Sequence, residues 1–304
     1  MKMIYWGLVL ILTSLALAAA SANAAEADKR PRIQLRGIDA PPEGKFGRLG
    51  FEIRAPWMDG FFQMRYPETM RTSVGLHFID HDRRDMPPLS MLDPFPRWQL
   101  DEATGEISYW HKTPEGVEFG GRARPSADDI ELEYRVKNGT DARLTQAHPQ
   151  MCLTLTGSAD FNRKLDLTDE YTWIDGEFTS LAKTTPTPEE KGRAPWVQVF
   201  TLALEDFQGK RDHANGWWVV DQLADEGIIA RVSSDGERLV AIAWEGARGI
   251  STNTRIPCLH AGPGGTRPLA PGEEAIWRGT IYLMDNDPDA LLARFRQDAE
   301  GWSR

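Results

Sequence analysis

The sequence has very little cysteine, which limits the kinds of fold and site that it can form. Among its 304 residues there are two cysteines, Cys152 and Cys258. Two cysteines are too few for a scaffold built from disulfides, so the core has to come from side-chain packing. Hydrophobic residues make up 41% of the chain and charged residues 26%, and there are 11 tryptophans. This composition is typical of a globular protein.

Positive charge is also scarce. The chain has 35 lysine and arginine residues against 45 aspartate and glutamate residues, which gives a net charge of −10 at pH 7. Nucleic-acid binding relies on clustered lysine and arginine side chains that contact phosphates, and the sequence contains no basic patch with interleaved aromatic residues. We therefore predict that nucleic acid is not a partner.

Several motifs of known chemistry are missing. The sequence has no glycine-rich loop between a strand and a helix, no Gly-x-Ser-x-Gly elbow, and no Cys-x-x-Cys or His-Glu-x-x-His spacing. The cluster Asp80-His81-Asp82 has the residue types of a metal site, but it lies in a very polar stretch, which favours a solvated loop. No cofactor is predicted from these motifs.

Long hydrophobic runs are confined to the N-terminus. A positive residue, Lys2, precedes an apolar run over residues 6–17, and the small-x-small site Ala22-Asn23-Ala24 follows. This order is typical of a secretory signal peptide over residues 1–24, with cleavage before Ala25. A membrane anchor would need about 20 apolar residues, and this run is shorter. We expect an exported protein, periplasmic or extracellular, with no membrane span after cleavage.

The rest of the chain is dominated by short segments that alternate hydrophobic and polar residues and are separated by turn residues, which predicts β-strands. Strands are predicted over residues 32–36, 51–54, 61–66, 73–79, 106–111, 117–124, 130–136, 150–155, 196–204, 216–221, 227–233, 239–244, 256–261 and 274–284. Strands at this spacing, with few helical stretches between them, are typical of a β-sandwich. Residues 25–304 are predicted to form a single all-β domain.

The clearest helix is predicted at the C-terminus. Asp287 can cap it, Pro288 suits its first position, and Leu291 and Phe295 recur on one face. We expect this short helix to pack on the outside of the sheets. The segment Arg163–Pro195 lacks periodicity over much of its length and is predicted to be rich in loops.

Two short segments carry the residue types of a functional site. His148 and Cys152 lie in the first segment, and Cys258 and His260 lie in the second. Residues separated by an even number point to the same face of a strand. If the two strands are neighbours, two imidazoles and two thiols can meet on one face of a sheet.

Three interpretations of these four residues are open. The first is packing at the core or at a strand edge, with a disulfide between Cys152 and Cys258. The second is a sugar site in which His148 and His260 bind hydroxyl groups or act as acid and base, since imidazole titrates near neutral pH. The third is a zinc site of histidine and cysteine ligands. Export favours oxidised cysteines, and we therefore predict a disulfide candidate and no metal.

The second half of the chain also resembles a known family. The segment Ile130–Thr140 is similar to the strand and turn that precede the family's catalytic histidine, and Leu144–His148 and Leu153–Gly157 are similar to the histidine strand itself. The segment Leu269–Glu274 resembles the last turn before a final strand. Over Asp128–Met284 this order resembles the galactose-mutarotase-like β-supersandwich, which is shared by sugar epimerases, polysaccharide lyases and parts of many glycosidases.

The resemblance implies an antiparallel β-supersandwich with a carbohydrate ligand, an oligo- or polysaccharide. His148 falls at the position of the family's catalytic histidine. His260 stands where mutarotases carry a catalytic glutamate, so an ordinary aldose epimerase is not expected. The chain as a whole also resembles exported proteins of environmental bacteria, which implies no reaction.

Further ligand-binding candidates follow from residue type and position. Trp244, Asn253 and Arg255 lead into the His260 strand, and Trp110 and His111 lie near the end of another strand, before a turn. Tryptophan faces stack on sugars, while arginine and asparagine bind hydroxyl or carboxylate groups.

Three functions are consistent with these observations. The leading hypothesis is an enzyme that acts on a sugar or polysaccharide, epimerase-like or lyase-like, with His148 and His260 as its catalytic residues. Lyase chemistry needs a base and a cation that steadies the enolate, for which His148 and Arg255 are the candidates. The alternatives are a glycan-binding protein without catalysis and a structural envelope protein.

Overall fold

The computed structural model of the protein describes residues 33–41, 47–80, 88–162, 166–184, 197–203 and 217–302. The predicted signal peptide (residues 1–24), His81 and Asp82 lie outside the described residues. Among the residues that are described, no helix is long and apolar enough to span a membrane.

The described chain is built almost entirely from β-strands. They are β1 (Gln34–Ala40), β2 (Arg48–Arg54), β3 (Phe62–Thr72), β4 (Leu76–Ile79), β5 (Gln99–Leu100), β6 (Ile107–Lys112), β7 (Val117–Pro125), β8 (Asp129–Asn138), β9 (Leu144–Thr154), β10 (Glu170–Ile174), β11 (Glu177–Ser180), β12 (Val197–Thr201), β13 (Trp217–Val219), β14 (Ile228–Val232), β15 (Arg238–Trp244), β16 (Gly249–Asn253), β17 (Cys258–Ala261), β18 (Arg267–Leu269) and β19 (Glu274–Asp285). Two short 3₁₀ turns cover Ala159–Phe161 and Leu181–Lys183, and one α-helix, α1, covers Pro288–Trp302.

These strands form two sheets. In the described part of the chain, a ten-stranded sheet has the order β1-β2-β3-β9-β17-β16-β12-β13, with β4 beside β3 and β18 beside β9. A nine-stranded sheet has the order β11-β10-β14-β15-β19-β8-β7-β6-β5. Apart from the parallel pair β12–β13, the described neighbours run antiparallel. The predicted all-β antiparallel sandwich is confirmed.

The core lies between the two sheets and is rich in aromatic side chains. Tyr66 on β3 is fully buried, and its ring centroid lies 5.3 Å from that of Tyr134 on β8 and 6.1 Å from that of Trp244 on β15. Burying large rings of this kind removes much apolar surface from water, which is the main force that holds the sheets together.

Helix α1 follows the sequence prediction closely. It begins at Pro288, and the Asp287 side chain caps it by accepting a hydrogen bond from the Ala290 amide at 3.0 Å. Leu291 and Phe295 are its buried residues, and they pack on the nine-stranded sheet, on the face that points away from the other sheet. The predicted position of the helix outside the sheets is confirmed.

The loop-rich prediction for Arg163–Pro195 was wrong in its described part. Strands β10 and β11 form a hairpin there, joined by Asp175 and Gly176, which have φ angles of 54° and 82°. Two successive positive φ angles are typical of a type I′ turn, for which Asp-Gly is a preferred sequence. The segment shows no alternation of hydrophobic and polar residues, because most of β10 is buried on both faces.

Candidate functional site

Strand β9 separates apolar from polar side chains along its two faces. Ala147, Met151 and Leu153 are buried in the core between the sheets. The alternate residues His148 and Gln150 are half-buried and point to the opposite face of the ten-stranded sheet. We call this second face the open face. It places the polar residues of β9 beside those of its neighbours β3 and β17.

Strand β3 contributes the next polar groups. Arg71 pairs directly with His148 in the antiparallel register. The register then shifts between Arg65 and Thr69, and within this irregular stretch the Glu68 side chain accepts a hydrogen bond from Gln150 Nε2 at 2.7 Å. The bulge brings a carboxylate onto a face that regular alternation would not give it.

Strand β17 brings a histidine and a cysteine to the same face. His260 Nε2 lies 3.6 Å from Glu68 Oε2, and its Nδ1 lies 3.9 Å from Cys258 Sγ. The ring is therefore held between a carboxylate and a sulfur. One donor atom each from Cys152, Cys258 and His260 lies within 4.8 Å of the other two. We call these three residues the Cys₂His cluster.

The disulfide expected between Cys152 and Cys258 is absent, because both residues are free cysteines in this structure. Their strands are neighbours, but Cys258 pairs with Thr154 and not with Cys152. The two cysteines thus sit diagonally across the β9–β17 pair. Both side chains are buried, at 3% exposure each.

The side chains of the Cys₂His cluster shift one another's pKa values. The hydrogen bond from Cys258 lowers the pKa of the Cys152 thiol against the opposing effect of burial, and His260 lowers it further. The same bond and burial raise the pKa of Cys258. Burial lowers the pKa of His260, but Cys152 and Glu68 outweigh it and raise the pKa well above its ordinary value.

A cavity of about 560 Å³ opens on this face. Its polar lining residues are Arg71, Gln146, His148, Gln150, Arg248, Ser251, His260 and Thr266. The remaining described lining includes Met151, Val199 and Ile250 and the turn that holds Gly262 and Pro263. A volume of this size is within the range of small-molecule sites, which is about 300–1,000 Å³.

The two histidines predicted as catalytic residues both line this cavity, but at different levels. By strand register His260 lies opposite Cys152, since Cys258 pairs with Thr154 and Leu259 with Leu153, whereas His148 lies four residues from Cys152 along β9, roughly 13 Å at the rise of a strand. Of the two imidazoles and two thiols that were expected to lie together, both thiols and the imidazole of His260 do so. His148 instead stands beside Arg71.

A buried ion pair lies beneath the open face, between the sheets. Arg231 donates to Glu170 at 2.8 Å and to Asp169 at 3.0 Å, and the side chains of Arg231 and Glu170 are fully buried. Thr252 on β16 donates its hydroxyl to the same glutamate. Burial raises the pKa of Glu170 to about 7, against the opposing effect of Arg231. These bonds tie the nine-stranded sheet to the sheet that carries the cavity.

Two predicted ligand-binding residues lie near β17 without lining the cavity. Asn253 ends β16, and its Oδ1 accepts hydrogen bonds from the amides of Arg255 at 2.8 Å and Ile256 at 3.2 Å. The asparagine thus shapes the turn between β16 and β17. Arg255, the cation predicted to work with His148, lies in that turn and does not line the cavity. Arg71 is the arginine that lines the cavity beside His148.

The three other predicted binding residues belong to the nine-stranded sheet, and their assignment to the His148 site was wrong. Trp244 is 1% exposed and packs in the core, where its ring contacts Tyr66. His111 on β6 is buried, and Trp110 on the same strand is 44% exposed. Trp110 lines a different cavity, of about 370 Å³, together with Arg135.

Comparisons with known proteins find similarity in structure. No protein-family model matches the chain, and no curated protein matches it. Solved structures that are similar include a proposed aldose 1-epimerase of Escherichia coli (11% identity, 83% of this chain and 99% of that chain, TM-score 0.41). A galactose mutarotase-like protein of Clostridium acetobutylicum also matches (9% identity, 83% and 79%, TM-score 0.38). A third match is an α-N-acetylgalactosaminidase of Bifidobacterium bifidum, in complex with GalNAc (15% identity, 90% and 38%, TM-score 0.45). These are the kinds of protein that the sequence resembles, and the similarity concerns the fold alone.

Proposed function

We propose that the protein is an enzyme that cleaves an acidic polysaccharide in the cavity of the open face, with His148 as the base that removes a proton beside a uronate carboxylate. The observation that carries this proposal is the direct pairing of His148 with Arg71 across β9 and β3, at the wall of that cavity. The predicted export of the chain is part of the proposal, because polysaccharides are met outside the cytoplasm.

The lining of the cavity supports a carbohydrate ligand. Sugars present many hydroxyl groups, and Gln146, Gln150 and Ser251 offer amide and hydroxyl groups that both donate and accept hydrogen bonds. A site of this kind buries most of a small ligand and orients it by a few polar contacts.

The charges in the lining support an acidic sugar. Arg71 and Arg248 both line the cavity, and their side chains are exposed to solvent there. A guanidinium group binds a carboxylate through two parallel hydrogen bonds, which gives both affinity and orientation. The ligand class is therefore a uronate-containing chain.

The pairing of Arg71 with His148 supports the elimination chemistry. Side chains directly opposite each other on an antiparallel pair have Cβ atoms about 4.5–5.5 Å apart, so both can reach one sugar ring. His148 takes the proton from the carbon beside the carboxylate, and the Arg71 guanidinium stabilises the enolate that forms. The glycosidic C–O bond then breaks, its electron pair stays on the departing oxygen, and that oxygen receives a proton. The product is an unsaturated uronate and a new chain end.

Turnover by the purified protein tests this proposal. We expect an increase in ultraviolet absorbance from unsaturated uronate with acidic polysaccharides, and none with neutral ones. His148→Ala is expected to lower kcat by about 10²–10⁴, the usual contribution of a general base, and added imidazole should restore part of the rate. Arg71→Gln is expected to lower kcat/KM by about 10–150-fold, because it removes a charge-assisted hydrogen bond.

A distant arginine provides the matched control. Arg296 lies on α1 and pairs with Glu226, so Arg296→Gln should leave turnover unchanged. Circular dichroism of each variant checks that it folds. Full activity of folded His148→Ala would refute the role of His148, and binding of acidic glycans without any unsaturated product would show a glycan-binding protein instead of an enzyme. Absence of binding to every acidic glycan would refute the ligand class.

A further inference from the structure

The three donor atoms of the Cys₂His cluster lie at spacings close to those of ligand atoms around a metal ion. Around a tetrahedral zinc ion, with Zn–S at about 2.3 Å and Zn–N at about 2.0–2.1 Å, neighbouring ligand atoms lie roughly 3.5–3.8 Å apart. In this structure Cys258 Sγ and His260 Nδ1 are 3.9 Å apart, and no pair among the three donor atoms exceeds 4.8 Å. Shifts of about 1 Å or less would bring all three donors to coordination distance of one ion.

The side chains around the three donors have the arrangement that supports metal ligands. A histidine that binds a metal through one ring nitrogen usually donates its other N–H to a carboxylate, which fixes the ring. His260 directs Nδ1 towards Cys258, and Glu68 lies 3.6 Å from Nε2. Glu68 is itself held by Gln150 at 2.7 Å and lies 3.6 Å from Arg65.

The sulfur of Cys152 also has a polar neighbour. Thr154 Oγ1 lies 3.6 Å from Cys152 Sγ, within the range of a hydroxyl–sulfur hydrogen bond. Such a contact can hold a sulfur in place while leaving its other lone pairs for an ion. A packing role alone would not require a carboxylate, an amide and a hydroxyl to converge on two buried thiols and one imidazole.

We propose that Cys152, Cys258 and His260 bind one thiophilic d¹⁰ cation, Zn²⁺ or Cu⁺. Thiolate and imidazole are the ligands that such ions prefer over carboxylate and water. Three protein ligands leave one position for water or for another ligand, which is the pattern of open rather than closed zinc sites. His260 lines the cavity of the open face, so this ligand can be reached by an ion that enters the cavity.

Metal titration of the full chain tests this proposal without relying on its enzymatic activity. The protein is purified, reduced anaerobically, stripped with a chelator and titrated with Zn²⁺ or with Cu⁺ in separate arms, against a chromophoric competitor. We expect one equivalent of at least one ion to bind with a Kd below about 10⁻⁷ M, the weak end of structural zinc sites. Co²⁺ in the same site should give the charge-transfer band of a cobalt–thiolate bond.

Single variants locate the site. Cys152→Ser and Cys258→Ser should each weaken binding by about 100-fold or more and lower the intensity of the cobalt–thiolate band, because one of the two sulfur ligands is lost. Glu68→Gln should weaken it by about 10–100-fold, the usual effect of losing a carboxylate that orients a ligating histidine. His148→Gln is the matched control, since His148 lines the same cavity but lies outside the cluster, and its metal affinity should equal that of the wild type.

Each possible result of these experiments either supports the metal site or refutes it. If neither ion binds the reduced wild-type protein at one equivalent, the proposal is refuted. It is also refuted if binding survives unchanged in Cys152→Ser and Cys258→Ser, because exposed carboxylates would then hold the ion. If a cysteine variant fails to fold, the wild-type stoichiometry, the Co²⁺ spectrum and Glu68→Gln still settle the question. A rise of the wild-type Tm with Zn²⁺ or Cu⁺ would support it further, since an ion that binds the folded chain stabilises it.

Discussion

Removal of the Arg231 guanidinium should be among the most destabilising single changes in this protein. The Arg231 side chain is fully buried and contacts two carboxylates, Glu170 at 2.8 Å and Asp169 at 3.0 Å. Arg231→Met keeps most of the side-chain volume and removes the charge. Glu170 is also fully buried, and the substitution removes the guanidinium group that contacts it.

The expected loss is about 3–5 kcal/mol in the free energy of unfolding, the usual cost of leaving one member of a buried pair alone. The loss should also depend on pH. The pKa of Glu170 is about 7 in the folded wild type, against an ordinary value of 4.5, so the folded chain holds a proton that the unfolded chain releases. The contribution of this group to the free energy of unfolding is therefore complete at low pH, and it is lost as the pH rises from 4.5 to about 7.

In the variant the pKa of Glu170 rises further, because its favourable charge partner Arg231 is gone while Asp169 stays and His260 gives a smaller opposing effect. The fall in stability then continues above pH 7 by about 1.4 kcal/mol per pH unit. The difference between wild type and variant should thus be about 1.4 kcal/mol larger at about pH 8 than at about pH 5.5.

Urea unfolding at the two pH values measures both effects. The matched control is Arg296→Met, which removes an arginine whose side chain is 62% exposed in its pair with Glu226. It should cost less than about 1 kcal/mol at either pH. The double variant Arg231→Met/Glu170→Leu should recover much of the loss, since it removes both charges. A loss below about 1 kcal/mol in Arg231→Met, or strict additivity in the double variant, would refute this account of the ion pair.

Two further predictions concern side chains outside the open face. Trp244→Ala should destabilise the protein by about 3–5 kcal/mol, because it empties a fully buried site, whereas Trp110→Ala should cost less than about 1 kcal/mol at its exposed position; thermal unfolding distinguishes them. Asn138→Ala should cost about 2–3 kcal/mol in chemical unfolding, because its buried Nδ2 donates to the carbonyls of Ala142 at 2.8 Å and Leu269 at 3.0 Å. Equal losses for the two tryptophans, or a neutral Asn138→Ala, would contradict these assignments.

Strand positions could be predicted from the sequence where one face is polar and turn residues separate the segments. Strands β7, β8 and β19 are examples, and the predicted bounds differ from the observed ones by one or two residues at an end. Strand β10 was not predicted, because its residues are mostly buried and show no alternation of hydrophobic and polar side chains. The Asp175-Gly176 turn was the local signal that could have revealed its hairpin.

The candidate site could be predicted only in the part that depends on alternation. Even spacing along a strand predicted that His148 and Cys152 share one face and that Cys258 and His260 share one face, and the structure places Cys152, Cys258 and His260 together. The pairing of strands far apart in sequence is not contained in local spacing, so Arg71 went unnoticed until β3 was seen beside β9. Glu68 was missed because a register shift, and not a repeat of two, sets the direction of its side chain.

The pattern of burial leaves room on one sheet for both of the proposed sites. Each residue that faces the cavity alternates with one that holds the core, so Met151 and Leu259 fix the strands that carry His148 and His260. The Gln150–Glu68 hydrogen bond connects the cavity to the Cys₂His cluster. Gln150 lines the cavity, and Glu68 lies 3.6 Å from His260 Nε2. Glu68→Gln should therefore change metal affinity strongly and leave the core intact, because the carboxylate contributes to the site rather than to the packing between the sheets.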